Sequence, residues 1–536
     1  MKTFKLVVLA AMVCVSAQLA LAQSVWTGAD LVNLNTNWSD AANWSPAAVP
    51  GAASNVLFNG TAAVAGSPFS ALGQGAGGII NPANINNIVD SGFAGAISTL
   101  TYTNSNSYQN TLIRNGTLTV SNLTAGVTAE GGANNGYVTI FGTNSQLNVV
   151  NTNSTLNVGW ATASSGSYAE NVDLSGLGTF NANVNILNIG ASTSSSLKSV
   201  GVLYLAATNI ITAHSATAVN DGASSSPTLV GLNIGAALVS QSIPSFLYLG
   251  SSNLIKVNNI LVGVDKQGNS ASEMAFNPSL TNANPLLGPT AFIRAADGVS
   301  PVTTWAVGDG FAQTGGSTAP IGAVDFTGGS VNALVGTMEL GRSPNVSGGH
   351  ASTGSLSLAA GNFTVNTLYA GYQAHSDTDY GVGTVNIVGP AVLNVGTLNL
   401  ATTTGSSGAP LTTGTVNVTG GSVIATNIVA GGGVSTINLT NATLAVSNTV
   451  GSPALPLSAL YVYSGSKLQI PVGNNQTNVE VVTLSSDNSG TINITSLPDV
   501  EGYPSQFPVI SYQGGSGNGV TFALGSLPGI FQGYIS

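Results

Sequence analysis

Apolar and polar residues alternate in short runs along most of the chain, as in "GTVNIVG" from Gly383 and "GTVNVTG" from Gly414. A period of two puts Val, Ile and Leu on one side of an extended strand and Asn, Thr and Ser on the other. These runs predict short β-strands. Helices are not expected, because Glu, Lys, Arg and Met are scarce. Gly (68 residues), Asn, Thr and Ser abound instead, and they favour turns over helix interiors.

The runs also repeat. "GAVDFTGGSV" from Gly322, "GSLSLAAGNF" from Gly354, "GTVNIVGPAV" from Gly383 and "GTVNVTGGSV" from Gly414 align without gaps. Two residues after each leading Gly stands Val324, Leu356, Val385 or Val416, and four after it Phe326, Leu358, Ile387 or Val418. Nine after it stands Val331, Phe363, Val392 or Val423. A later apolar pair follows: Met338 and Leu340, Leu368 and Ala370, Leu398 and Leu400, Ile428 and Ala430. Looser copies begin at Gly116, Gly136 and Gly201.

Each unit reads as strand, tight turn, strand, short link, strand, then a polar loop. One unit cannot bury its own apolar face, but stacked units can. A β-sandwich array would need roughly seven strands and about 100 residues per domain. A shorter period with three strands favours a right-handed parallel β-helix, an all-β solenoid. Roughly thirteen or more coils between residues 60 and 450 would build a rod of roughly 60–90 Å, with outward Asn and Thr bonding to like residues in neighbouring coils.

The ends differ from the middle. Lys2 and Lys5, the apolar run Leu6–Val15 and Ala20-Leu21-Ala22 form a secretory signal peptide over residues 1–22. Its apolar core is too short to span a bilayer, so no transmembrane segment is expected after its removal. The one cysteine, Cys14, lies inside it, which leaves the mature chain without disulfides or a thiol nucleophile. Residues 23–60 hold Trp26, Trp38 and Trp44, spaced to share a face. They read as a cap over the first coil, with an aromatic glycan-stacking platform as the alternative. Residues 61–450 carry the coils, and the Pro-rich residues 451–536 read as a β-rich closing segment. The sequence gives the impression of continuing in a longer protein.

Charge narrows the list of partners. Only 5% of residues are charged. Loss of Lys2 and Lys5 leaves seven basic against nineteen acidic residues, a net of −12. Nucleic acid is not an expected partner, because phosphate binding needs clustered Lys and Arg. Disorder is not expected either, since 43% of residues are hydrophobic.

The N-terminal stretch "WTGADLVNLNTNWSDAANWSPAAVPGAASNVLF", followed by "GTVNVTGGSV"-type coils, resembles large secreted bacterial proteins with autotransporter-associated β-strand repeats. The residues that carry the resemblance are Trp26, Gly28, Trp38, Asn43, Trp44, Pro46, Pro50, Gly51 and Phe58. It implies a secreted or surface-displayed, passenger-like β-helix with a structural or adhesin-like role and no assigned catalytic residue. Surface glycans, matrix or self-association are the expected partners. Three features of that class and its neighbours are not seen here: a translocator barrel, an LPxTG motif and a hydrophobic sorting tail.

Catalysis on a β-helix would need carboxylates gathered on adjacent coils, as in polysaccharide lyases and hydrolases. The candidate stretch is "GYQAHSDTDYG", in which His375, Asp377 and Asp379 alternate, with Arg342 and His350 one coil earlier. Asp ligands suit calcium and His with Asp suits zinc, while a polar surface turn accounts for the same residues. No cofactor is otherwise expected, and the chain reads as non-catalytic. A carbohydrate-active enzyme or glycan-binding module with that candidate site is the runner-up. "GQGAGG" (Gly73–Gly78) matches a dinucleotide fingerprint only formally, because Pro82 follows and no helix does.

Overall fold

The computed structural model describes residues 23–29, 35–59, 85–103, 108–126, 134–159, 167–192, 198–219, 228–236, 243–265, 270–310, 320–343, 351–374, 378–404, 411–473, 477–498 and most of 502–535. The signal-peptide residues, Cys14 and Gly73–Gly78 lie outside this set. The described chain is all-β, with helical geometry confined to short 3-10 turns such as Ala41–Asn43.

Strands pair in parallel, and the pattern is easiest to follow in the middle. Phe246–Leu249, Ser252–Val257 and Asn259–Val262 follow one another in the chain. They pair in turn with Ser272–Phe276, Thr290–Arg294 and Val302–Val307. Those three pair onward with consecutive thirds of the long strand Ile321–Arg342. That strand lies in register with Ala351–Gln373 over nearly its whole length. Three ladders result. Between parallel strands, a residue's partner lies 21 residues ahead at the closest, as in Val416↔Ile437, and 50 at the farthest, as in Met274↔Val324. The one antiparallel pair among the described residues joins Gln23–Trp26 to Trp44–Ser45. That leaves no room for an antiparallel sandwich.

The first strands of the four aligned units are register partners residue for residue. Val324, Leu356, Val385 and Val416 pair in series, as do Phe326, Leu358, Ile387 and Val418. The later apolar pairs do the same. The second strands do not follow the sequence alignment. The buried column is Ala333, Phe363, Leu393 and Val423, so Val331 stands two residues early and Val392 one. The corners explain the slip: the register shifts between Phe326 and Ser330, and Gly361 takes up a positive φ of 92°. Ungapped alignment cannot follow corners of unequal length.

Parallel pairing also continues across residue 450. Ile437, Leu460 and Leu484 extend the first column, at separations of 23 and 24 residues. The pairing reaches Ile510–Gly515 and Ala523–Leu524. One apolar core cluster accordingly runs from Trp26 to Ile494.

Two features lock the ladders. The first is a pair of facing glycine columns. Gly341 and Gly371 end their strand segments at φ of 68° and 72°, and a Cβ on either would collide with the carbonyl oxygen of Val382 or Thr413. Opposite them, a Cβ on Gly354 or Gly383 would run into the amide nitrogen of Gly341 or Gly371. The second feature is a set of amide chains. Asn417 Nδ2 donates to Asn386 Oδ1 at 2.9 Å and Asn438 Nδ2 to Asn417 Oδ1 at 2.7 Å. Asn233 and Asn188, both buried, continue the pattern to the half-buried Asn157, with bonds of 2.9 and 3.0 Å.

Gly371→Ala is expected to destabilise the protein by about 2–4 kcal/mol, since it adds left-handed strain to a backbone collision. Ala401 occupies a similar left-handed position at φ 53°, so Ala401→Gly should be neutral or stabilising. Thermal melts of the two variants check the pair. Equal destabilisation by both would contradict the corner packing.

Candidate functional site

Trp26 and Trp44 face each other across the antiparallel pair, and their rings meet edge to face at 5.0 Å and 81°. Trp38 meets Trp44 at 5.4 Å and 87°, and Phe58 and Phe93 close the cluster. All three indoles are buried. Trp38 Nε1 donates to Asn87 Oδ1 at 2.8 Å and Trp44 Nε1 to the Trp38 carbonyl at 2.9 Å. The Asn43 amide, also buried, donates to the carbonyls of Asn35 and Asn37, while Asp40 Oδ1 accepts from the Ala42 N–H. The spaced Trp, Asn and Trp therefore each fill a place in one small packed unit. The indole faces are turned toward one another rather than displayed as a flat platform.

The candidate ionisable stretch is only partly described: His350, His375 and Asp377 lie outside the described residues. Asp379 is buried just before strand Tyr380–Val388, and its backbone carbonyl accepts from Gln373 Nε2 at 3.2 Å. Arg342 is buried too. Its guanidinium lies 3.4 Å from Glu339 Oε2 and over the Tyr372 ring at 5.4 Å. Asp379 and Arg342 are thus built into the corner rather than presented at the surface. Among the described residues no group of three His, Cys, Asp or Glu is placed to hold a metal ion.

Two features escape sequence inspection. The first is Glu170. It pairs in register with Gly136 on one side and Gly201 on the other. Further along, the same corner position holds Ser272, Gly322, Gly354, Gly383, Gly414 and Ser435. Between Gly136 and Ser435 a carboxylate therefore occupies a place that its described register partners fill with Gly or Ser. It is buried, Oε2 has no hydrogen-bond partner among the described residues, and desolvation holds its pKa well above the usual carboxylate range. Only the register reveals this column, since its members lie far apart in sequence.

The second is an outward aromatic strip. Tyr204 stacks on Tyr248 at 4.7 Å, and Phe246 lies parallel to Tyr248 at 5.5 Å. Asp173 is the register partner of Tyr204 and Glu273 that of Phe246. Burial, then Tyr204 and Glu273, push the Tyr248 hydroxyl up to about 12. Burial and the nearby Asp325 raise the Glu273 pKa. The strip offers ring edges and the hydrogen-bond acceptors of Tyr204, Tyr248, Asp173 and Glu273.

No family model matches the chain, and neither does any curated protein or solved structure.

Two outcomes follow from these sites. Trp38→Ala should cost about 3–5 kcal/mol and expose residues 23–58 to limited proteolysis before the rest of the chain; uniform cleavage kinetics would count against a locally packed unit. Glu170 holds its proton more tightly folded than unfolded. Its stabilising contribution is therefore present at low pH and lost as pH rises through the folded-state value. Glu170→Gln should raise the melting temperature at pH 8 by about 2–4 °C and leave it nearly unchanged at pH 4. An identical shift at both pH values would remove ionisation as the cause.

Proposed function

We propose that this protein is a secreted, right-handed parallel β-helix that acts as a non-catalytic, adhesin-like structural element at the cell surface. The supporting observation is the ladder pattern. From Asn55–Phe58 onward, described strands pair in parallel with strands a few tens of residues ahead, across three ladders that share one core. Parallel crossovers of this kind are right-handed in about 98% of cases. The first ladder holds fifteen strands among the described residues, from Ile85–Val89 to Ile510–Gly515, and at strand spacing this spans about 65–70 Å.

The sequence supports the location, through the lysine start, apolar run and Ala-Leu-Ala of residues 1–22. The packed Trp26, Trp38 and Trp44 unit covers the exposed end of the stack, where open strand edges would otherwise invite pairing with other chains. The buried placement of Arg342 and Asp379 supports a structural reading over a catalytic one. The resemblance to autotransporter-associated repeat proteins points the same way.

Antibody raised against the purified chain should label intact producing cells or their medium, and X-ray scattering should give an elongated particle. Labelling only after permeabilisation would sink the location, and a compact scattering profile would sink the rod.

A further inference from the structure

A groove of about 400 Å³ runs along the stack where second-ladder strands pass into the third. Its floor is set by register: Thr364, Asn394, Ile424, Ala445 and Gln469 are successive partners on five adjacent strands. Five strands at sheet spacing give a length of about 19 Å. Asn366, Asn394, Thr426, Ser447, Gln469 and Thr495 supply amides and hydroxyls. Each of these groups both donates and accepts. Gly396 and Ala445 keep the floor low, and Ile424, 46% exposed, adds an apolar contact.

The lining selects the ligand by what it offers. None of its residues ionises, so a charged polymer finds no counter-charge. The chain's net charge of −10 further disfavours polyanions. A peptide adding as a strand needs an open backbone edge. Strands Ala351–Gln373, Val392–Thr403, Ser422–Ala430, Thr443–Val450 and Lys467–Ile470 are each paired on both sides, so the groove shows side chains and no such edge. Closely spaced two-way hydrogen-bonding groups beside small apolar patches match sugar hydroxyls and C–H faces.

We propose that this groove binds an extended, uncharged polysaccharide chain lengthwise, with Asn394 and Gln469 as its main hydrogen-bonding contacts. The inference rests on the surface-display reading above and names the class of ligand displayed to.

Affinity electrophoresis of the purified chain in gels containing xyloglucan, galactomannan, arabinoxylan or laminarin tests it, with polygalacturonate and chitosan as charged probes. At least one neutral polymer should retard the protein. Ala445→Arg, which fills the floor, and the Asn394→Ala/Gln469→Ala double variant should each weaken retardation about tenfold, the loss of one or two hydrogen bonds. Thr384→Arg, on the first ladder and away from the groove, should bind like the wild type. Retardation by no neutral polymer, retardation by a charged polymer alone, or wild-type binding by both groove variants overturns the proposal. An elongated, surface-labelled protein that binds no glycan would defeat the groove inference and leave the structural role standing.

Discussion

Parallel pairing between strands a few tens of residues apart is the constraint from which the rest follows. At that spacing, whatever occupies a position on one strand lies directly against its register partner on the next. The side chain must suit both its own strand and those above and below. Apolar residues then stack into columns such as Val324, Leu356, Val385 and Val416, and amides into columns such as Asn386, Asn417 and Asn438. A chain with very few charges can be held this way, because backbone ladders, a continuous core and amide chains need no ion pairs.

The corners impose a stricter demand. Where two strand segments meet, backbones come too close for a Cβ, and glycine fills both facing columns around Gly341, Gly354, Gly371 and Gly383. Glycine abundance in this sequence is thus partly a packing requirement rather than a sign of flexibility. Glu170 in one of these columns is the informative exception, because it places an ionisable group where most positions accept only hydrogen or a small hydroxyl.

Much of this was legible in the sequence. Alternation marked the strands, and the leading Gly of each unit marked positions that pair in register, Gly322 through Gly414. The second strands were harder to read, because corner residues between Phe326 and Ser330 shift the register without changing the apolar pattern. The Trp26, Trp38 and Trp44 grouping could be anticipated from spacing, but the perpendicular ring packing could not. Glu170, the Tyr204–Tyr248 stack and the groove through Asn394 and Gln469 depend on partners tens of residues away. No local pattern carries such information; it appears only once the register is known.

The amide chains have a direction. Asn417 donates back to Asn386 and Asn438 back to Asn417, as Asn233 does to Asn188 and Asn188 to Asn157. Their side-chain dipoles line up head to tail, so each bond polarises the next. Such an array is sensitive to chemical ageing. Deamidation of one rung replaces a donor with an acceptor, setting oxygen against oxygen and breaking the sequence of dipoles at that rung. The ladder also guards against that reaction, because the attacking nitrogen is the backbone N–H of the following residue, and strand pairing holds that backbone fixed. The same regular stacking that makes an amide worth keeping therefore also slows its loss.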